Sequence, residues 1–489
     1  MPQAPVHVGV VYEDGQRTEK LLKELHKRLV DTQLTNLIEL TPLDLDSRSN
    51  CIVALPVSTP PTNTSDMVNV ILSRFSGSSF YRDNSELQDM SLLLMGNQNA
   101  EQVGLINGLS VIQLENSKPL QLAKLTSATF TSSLTSMCQN NVRLPDTVLV
   151  RSLTSTGLEK AVGEIARGRC LYSAKTVSMP VRQIVLKPAY GGGSRGVHLV
   201  DWTRLQQTGQ LGECVKACTG AGAVEGRAWL VQRCVGEANK QVRVEVVNSK
   251  VLYAVAITKA DKADQDNDGE LPWHEAQNLC LCEVSDDVSL SIHPTAASLA
   301  AELGCSMQLC VLLFEYAQKA SVFLEAPVLA MEFKLDGDIG YMIDLNLQSN
   351  YNFAAEEATA AQIPGFVGAG VNYLQLFVRL AKKNKQAQES IEAWVMSRGQ
   401  ASYDLTNPET FHPQAILLLN ETLVDSPTMA QHVGDLQTWS LQKEELSTDT
   451  LEKVSTFVSG LTRAVVWYDP FYASVTRLTV HPGGLWGPE

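Results

Sequence analysis

The chain contains 489 residues, of which 44% are hydrophobic and 19% charged, and its formal net charge is −14 at pH 7. These proportions are ordinary for a globular protein of several domains, and the negative charge argues against nucleic acid as a main partner. No apolar run approaches the ~20 residues of a membrane span, the N-terminus lacks the pattern of a secretory signal, and no CxxC pair is present. We therefore expect a cytoplasmic protein without a membrane or nucleic-acid partner.

The first 115 residues alternate strand-like and helix-like patterns, which predict a small open α/β domain. The apolar run 6–12 is typical of a buried strand, and the segment 17–30 repeats its leucines with helical periodicity. The other elements predicted in this domain are strands at 37–40, 51–57, 68–72 and 111–114 and a helix over 85–107.

A second domain is predicted to begin at residue 116 and to end at residue 235. Its first helix, over 118–139, follows Asn116 and Ser117 and carries Lys124. Further along, the patterns predict strands at 144–150 and 228–232, helices over 155–168 and 202–218, and two strands around a glycine-rich loop.

The glycine-rich loop, YGGGSRG, joins an apolar strand at 184–186 to a second one at 197–200. Three consecutive glycines, 191–193, allow backbone N–H groups to turn towards an anion at little steric cost, and Lys187 adds a positive charge. The loop is neither a P-loop nor a dinucleotide fingerprint, because both of those open a helix. The alternative interpretation is a hairpin with a flexible turn and no ligand.

A third domain is predicted over residues 236–385. It begins with strands at 242–247 and 251–257, and the intervening Asn-Ser-Lys sequence is typical of a hairpin turn. A long helix is predicted over 295–320.

The acidic segment 259–275 in this domain matches the spacing of a calcium-binding EF-hand loop. An EF-hand needs a helix on each side, whereas a strand precedes this segment and Pro272 lies inside it. We therefore favour a mobile loop over a site and keep calcium binding as the alternative. The matching residues are Asp264, Asp266, Asp268, Gly269, Leu271 and Glu275.

A predicted hairpin of strands 331–335 and 340–346 carries three oxygen-bearing side chains, those of Glu332, Asp344 and Asn346. Alternate residues of a strand share a face, so the side chains of Asp344 and Asn346 point the same way. Such a set suits a hard divalent cation such as Mg²⁺, which also takes phosphate oxygens. The alternative is a polar strand face exposed to solvent.

The last region, residues 386–489, is predicted to be an appended α+β segment of unknown role. It contains an apolar run at 415–420, a helical pattern at 448–463 and a further apolar segment at 463–480. His412 and His481 are interpreted as surface or structural residues rather than as ligands.

The order of these motifs resembles the ATP-grasp superfamily. The resemblance is carried by KPAYGGGSRGV, by the strand ending in VQRCV, by the RV pair on the next strand and by the E…DLN hairpin. The segments ILSRFSGSSFYRD and LENSKPLQLAKLTSATF…LPDTVLV resemble the branch of ribosomal-protein glutamate ligases and glutathione-synthetase-like enzymes.

The resemblance extends over about residues 65–375 and implies an α/β (α+β) fold with ATP held between two subdomains. Residues 1–115 would form an N-terminal open α/β pre-ATP-grasp domain. Residues 116–235 would form the small subdomain with the lid loop, and 236–385 the large subdomain with the metal site. Residues 386–489 would be a C-terminal α+β extension.

The resemblance also implies an ATP-dependent carboxylate–amine ligase that forms an acyl phosphate and releases ADP and phosphate. Arg243 and Lys187 would be catalytic, and Glu332, Asp344 and Asn346 would bind two Mg²⁺ ions, with Mn²⁺ as an alternative. The residues assigned to ATP are Lys124, Lys187, Gly191, Gly192, Gly193, Ser194, Gly196, Gln232, Arg233, Val235, Glu237 and Gln241.

Two departures from the family concern the metal site and the substrates: the shorter Asp344 would shift or weaken one metal site, and the segment 347–352 suggests unfamiliar substrates. Asp344 stands where the family usually has Glu, and the uncharged segment 347–352 replaces a small-Pro-Gly or Pro-Arg sequence. We expect a small-molecule carboxylate and amine, such as an amino acid or a peptide, and leave a homodimer open. The alternative functions are a non-catalytic ATP-binding protein and an ATP-grasp-type small-molecule kinase.

Overall fold

The computed structural model contains three central sheets, one with mainly parallel strands and two with mainly antiparallel strands. It therefore has the mixed α/β architecture that the sequence predicts. The residues that the structure describes are 6–13, 16–46, 51–52, 70–74, 104–170, 180–190, 196–220, 228–236, 240–259, 271–275, 288–347, 349, 351–363, 366–381, 389–391, 394, 478–480 and 486–488.

The first sheet has five strands in the order β3-β2-β1-β4-β5, parallel except where β3 pairs with β2. Helix α1, Gln16–Asp31, buries Leu21, Leu25 and Leu29 on one face, as its leucine periodicity predicts. The open α/β arrangement is thus confirmed. The strands are β1 Val6–Glu13, β2 Ile38–Asp46, β3 Cys51–Ile52, β4 Val70–Arg74 and β5 Gly104–Ile106.

The strand predicted at 111–114 is wrong, because this segment belongs to helix α2, Leu109–Asn116. Val111 and Leu114 are three residues apart and are both buried, which is the spacing of one helix face. The helix predicted over 118–139 is divided into three short helices. Each begins after a Ser or Thr N-cap, whose side chain accepts a hydrogen bond from a backbone N–H in the first turn. They are α3 Lys118–Leu125, α4 Ala128–Ser133 and α5 Ser136–Asn141.

The second sheet has five strands in the order β13-β9-β8-β10-β7, and all of its pairs are antiparallel. Strands β8, Gln183–Pro188, and β9, His198–Asp201, flank the glycine-rich loop as predicted. The remaining strands are β7 Thr147–Val150, β10 Trp229–Arg233 and β13 Trp273–Glu275. The associated helices are α6 Ser155–Ala166, α7 Trp202–Thr208 and α8 Leu211–Thr219.

The third sheet has six strands in the order β14-β12-β11-β15-β16-β6, and it contains both predicted hairpins. Asn248 and Ser249 turn the first hairpin with φ angles of +60° and +56°, a left-handed conformation that this Asn-Ser pair adopts at a two-residue turn. The strands are β6 Val142–Arg143, β11 Lys240–Val247, β12 Lys250–Lys259, β14 Val288–His293, β15 Val328–Asp336 and β16 Ile339–Asn346.

Left-handed glycines divide two helices that the sequence predicts as continuous. Gly209 has φ +69° and separates α7 from α8, whereas Gly304 has φ +65° and separates α9, Ala296–Leu303, from α10, Met307–Phe323. A left-handed residue ends an α-helix and is a common C-terminal cap. Helices α11, Phe353–Gln362, and α12, Ala369–Ala381, follow the third sheet.

Residues 109–143 share a hydrophobic core with the six-stranded sheet and with helix α10. Phe130 of α4, for example, packs edge-on against Tyr316 of α10, with ring centroids 5.2 Å apart. A second core joins α1 and β1 to α12 and to Tyr253 on the other face of β12. The start of the predicted second domain therefore packs against the strands of the third.

The segment with EF-hand spacing lies between two strands, β12 and β13, rather than between two helices. Residues 260–270, which hold all three aspartates of the EF-hand pattern, lie outside the described residues. So do 85–103, 415–420, 448–463, His412 and His481, whereas the hairpin of β17 Leu478–Val480 and β18 Trp486–Pro488 is described. The helix predicted over 85–107 is wrong at its described end, because residues 104–106 form strand β5, which pairs with β4 in the first sheet. Within the described part of the chain, no helix combines the length and apolar character needed to cross a membrane.

Candidate active site

Glu332 and Asp344 face each other across the β15–β16 hairpin. Asn346, two residues further along β16, donates from Nδ2 to Oε1 of Glu332 at 3.1 Å. Burial raises the pKa of Glu332 above its ordinary value, and the neighbouring Asp344 adds to that rise. The structure thus brings all three predicted metal residues together.

Arg243 lies opposite Glu332 on the neighbouring strand β11, and each of its three guanidinium nitrogens makes a contact. Nη1 is 2.9 Å from Glu332 Oε1, Nε is 2.7 Å from Glu245 Oε1, and Nη2 donates to Ser349 Oγ at 2.7 Å. Burial alone would lower the pKa of Arg243, but the two carboxylates outweigh it and raise the pKa. Gln241 donates to the second oxygen of Glu332 at 2.7 Å. Arg243 and Gln241 are therefore both bound to the predicted metal carboxylate.

Lys187 lies on β8 of the second sheet, and its side chain contacts β16 of the third sheet. It is near the end of β8, just before the glycine-rich loop, and its Nζ donates to the carbonyl oxygen of Ile343 at 2.8 Å. Ile343 is the neighbour of Asp344 on β16. Burial lowers the pKa of Lys187, and the attraction of Asp344 opposes part of that fall.

Lys118, which the sequence analysis does not single out, forms an ion pair with Asp344, with 2.9 Å between Nζ and Oδ1. Its backbone N–H also donates to the carbonyl of Ala189 at 3.1 Å, directly before the glycine-rich loop. Burial would raise the pKa of Asp344, but Lys118 and Lys187 outweigh it and hold the pKa below its ordinary value. Asp344 is thus an ionised carboxylate between two lysines.

Glu115 and Asn107 hold the chain where it leaves β16. Glu115 Oε2 accepts from the backbone N–H of Leu347 at 2.6 Å, and Asn107 Nδ2 donates to the carbonyl of the same residue. Burial raises the pKa of Glu115 to about 7, partly offset by that hydrogen bond and by Lys118. Neither residue is predicted from the sequence.

The resemblance implies that Gln232 to Val235 receive adenine through backbone groups, and the side chains of Gln232 and Arg233 make their contacts away from the Glu332–Asp344 cluster. Gln232 is buried and donates to Thr147 Oγ1 at 2.9 Å, and Arg233 pairs with Asp146 at 3.0 Å. Val235 lies in the link between β10 and β11. Binding of adenine by backbone groups of this segment stays a prediction.

The predicted lid is described only at its end. Gly196 has φ +71°, and a Cβ there would lie 3.3 Å from Pro188 Cγ, so glycine suits this close approach. Gly191, Gly192, Gly193 and Ser194, as well as Glu237, lie outside the described residues.

Lys124 lies in the last turn of α3 with an exposed side chain, whereas Lys118 opens that helix and meets Asp344. The sequence does contain a signal that places Lys118 at a helix start, because Ser117 is a typical N-cap and Pro119 is typical of a first turn. Glu245 could also have been found, since it shares a strand face with Gln241 and Arg243 and alternates with valines. Nothing in the sequence points to Glu115, Asn107 or Ser349.

The donor atoms at the hairpin fit a magnesium ion. Two carboxylates and one amide supply hard oxygen ligands, and Mg²⁺ completes its shell with phosphate oxygens and water. Among the described residues, no group of three or more His, Cys, Asp or Glu side chains forms a metal site by protein ligands alone.

The chain was compared with known proteins in three ways. No family model matches it, and no curated protein matches it. One similar solved structure is D-alanyl-alanine synthetase A from Vibrio cholerae, which is 11% identical in sequence. The match covers 78% of this chain and 100% of that chain, with a TM-score of 0.45. D-alanine–D-alanine ligase from Bacillus anthracis has 12% identity, covers 77% and 97% of the two chains and has a TM-score of 0.44. ATP-grasp ligase PsnB, complexed with a minimal precursor, has 12% identity, coverages of 78% and 99%, and a TM-score of 0.44.

Proposed function

We propose that the protein is an ATP-dependent carboxylate–amine ligase of the ATP-grasp type. The observation that carries this proposal is the contact between Lys187 and Ile343. It joins a lysine from the strand before a glycine-rich loop to the strand that holds Asp344, across two different sheets. Cations and hard oxygen ligands thereby meet at one place, as phosphoryl transfer between two anionic reactants requires.

The reaction begins with attack of a substrate carboxylate oxygen on the γ-phosphorus of ATP, which releases ADP and leaves an acyl phosphate. An amine then attacks the acyl carbon, loses a proton and expels phosphate. Mg²⁺ bound by Glu332, Asp344 and Asn346 would neutralise phosphate charge during the first step. No covalent enzyme nucleophile is needed in either step.

The protein cations have separate roles in this proposal. Lys118 is paired with Asp344, Lys187 contacts the carbonyl of the adjacent Ile343, and both would bind phosphate oxygens beside the metal carboxylates. Arg243 is buried against Glu332, and its Nη1 and Nη2 atoms would hold the transferred phosphoryl group and the acyl phosphate. Because these cations are desolvated, each is worth more to a developing negative charge than it would be in water.

We infer that both substrates are small molecules, with an amino acid or a peptide among them. The segment after Asn346 is uncharged over residues 347–352, so it offers hydrogen bonds rather than an ion pair to a substrate. A homodimer is compatible with this proposal and is not required by it.

The test is the release of ADP and free phosphate from Mg-ATP in the presence of pooled amino acids and small carboxylic acids. We expect pool-dependent release of both products by the wild type and its loss in Lys187→Ala. Lys216→Ala, which removes an exposed lysine from α8, serves as the matched control. ADP without free phosphate would identify a kinase, and ATP binding without turnover of any pool would favour a peptide or protein substrate or a non-catalytic protein.

A further inference from the structure

Leu347 follows the last predicted metal residue, Asn346, and both polar groups of its backbone are held by distant side chains. Its N–H donates to Oε2 of Glu115 at 2.6 Å, and its C=O accepts from Nδ2 of Asn107. Strand pairing with β15 ends at Asn346, which faces Ala330. The backbone of Leu347 itself is therefore held by these two side chains instead of by the sheet.

Asn107 is set for this contact by its backbone. It lies just after β5 with φ +55°, a left-handed conformation that asparagine tolerates better than most residues. The side chain is buried, and among the described residues its Oδ1 has no hydrogen-bond partner.

We propose that Glu115 is a positioning residue for the ligase reaction, acting as a hydrogen-bond acceptor for the Leu347 N–H and so fixing Asn346 and Asp344 relative to the metal. This inference rests on the proposed function. The hydrogen bond of Glu115 goes to the Leu347 N–H, whereas Asp344 is paired with Lys118. Glu115 therefore acts on the site through the backbone of β16.

An acceptor role does not require a negative charge. The protonated and the ionised carboxyl group both keep an oxygen that can accept from an N–H group, and so does the amide of glutamine. A proton-transfer role would differ, because glutamine cannot take up a proton near neutral pH. Glu115→Gln and Glu115→Ala consequently separate the two roles.

The experiment measures kcat, KM for ATP and the Mg²⁺ concentration at half-maximal rate for the wild type, Glu115→Gln and Glu115→Ala. We expect Glu115→Gln to stay within about threefold of the wild type and Glu115→Ala to lose roughly tenfold or more in kcat/KM, with a raised Mg²⁺ requirement. The matched control is Glu315→Ala, which removes a carboxylate that accepts from the backbone N–H of Thr135 at 2.9 Å outside the site. Its Mg²⁺ requirement should equal that of the wild type.

Hydrogen exchange of the Leu347 amide in the nucleotide-free protein supplies a readout independent of turnover. Protection should fall in Glu115→Ala and persist in Glu115→Gln. If Glu115→Gln is as inactive as Glu115→Ala while Leu347 stays protected, the residue acts through its proton and the positioning role is wrong. An unchanged Mg²⁺ requirement in Glu115→Ala would also overturn it. A wild type that neither binds nor consumes Mg-ATP would instead refute the proposed function, while the exchange data would still show whether Glu115 holds Leu347.

Asn107→Ala adds a second test, because it releases the carbonyl of the same residue. If both side chains act by fixing Leu347, the effects of Asn107→Ala and Glu115→Ala on kcat/KM should be strongly non-additive in the double variant. Simple additivity would show that the two side chains act independently and would contradict the proposal.

Discussion

Glu332 and Asp344 face each other on paired strands, yet each is bound to a different cation. Glu332 contacts Arg243 of β11 in the same sheet, at 2.9 Å, whereas Asp344 contacts Lys118 of α3, also at 2.9 Å. One carboxylate is therefore paired with an arginine of the same sheet, and the other with a lysine of helix α3. This difference allows the two sides of the site to be tested separately.

Lys118 and Lys124 lie on the same short helix and provide a matched pair. We expect Lys118→Met to lower kcat/KM for ATP by roughly a hundredfold, because it removes a partly buried cation beside Asp344, and Lys124→Met to have a much smaller effect. Steady-state kinetics with ATP as the varied substrate measure both. The reverse order of effects would favour the sequence prediction that Lys124 binds the nucleotide.

Asp344 should determine the requirement for magnesium. Asp344→Asn removes the charge while keeping the size, so the Mg²⁺ concentration at half-maximal ADP formation should rise by at least about tenfold. Asp344→Glu restores the charge with one more methylene and should recover part of the activity. Asp336→Asn, at the exposed end of β15, is the control from the same hairpin. An unchanged Mg²⁺ requirement in Asp344→Asn would exclude this carboxylate as a metal ligand.

Gly236 should be intolerant of substitution. It lies between β10 and β11 with φ +70°, and a Cβ there would come within 2.8 Å of the Leu335 carbonyl oxygen. We expect Gly236→Ala to reduce the free energy of unfolding by about 1–3 kcal/mol. Gly212→Ala in helix α8, where a Cβ meets nothing within 4 Å, should instead stabilise by up to about 1 kcal/mol. Urea unfolding measures both, and equal stability of Gly236→Ala and the wild type would show that the link relaxes freely.

Glu356 should make stability depend on pH. Its carboxyl accepts from the Tyr253 O–H at 2.6 Å and from the Ala369 N–H at 3.0 Å, and burial raises its pKa to about 8. Between an unfolded pKa of 4.5 and this value, only the folded state holds the proton. Stability should therefore fall as pH rises through this window, by up to about 1.4 kcal/mol per pH unit.

Glu356→Gln tests this expectation, because glutamine stays uncharged across the window. Urea unfolding at pH 5, 6.5 and 8, values chosen to span the window, should give a smaller decrease in stability for this variant than for the wild type. Parallel decreases in the two proteins would show that Glu356 is ionised in the folded state or that its pKa is near that of the unfolded chain.

The sequence allowed a correct prediction of the elements whose periodicity is strong. The β15–β16 hairpin and its three oxygen-bearing side chains follow from alternation and a Gly-containing turn, so the structure agrees with them. Short helices were harder to predict, because α2 and α3 are each only eight residues long and show the helical periodicity over little more than two turns. Glu115 and Lys118 belong to these helices and reach β16 across more than 200 residues of chain, a relationship that no local pattern contains.

The position of β13 affects which fragments of the protein can be studied alone. The chain leaves the six-stranded sheet after β12, adds β13 beside β9 in the other sheet, and returns as β14. A fragment of residues 116–235 would lack β13 and leave the main-chain groups of β9 uncovered. An uncovered strand of this kind pairs readily with other molecules, so such a fragment should aggregate. The nucleotide half of the proposed site is therefore best studied within the whole chain.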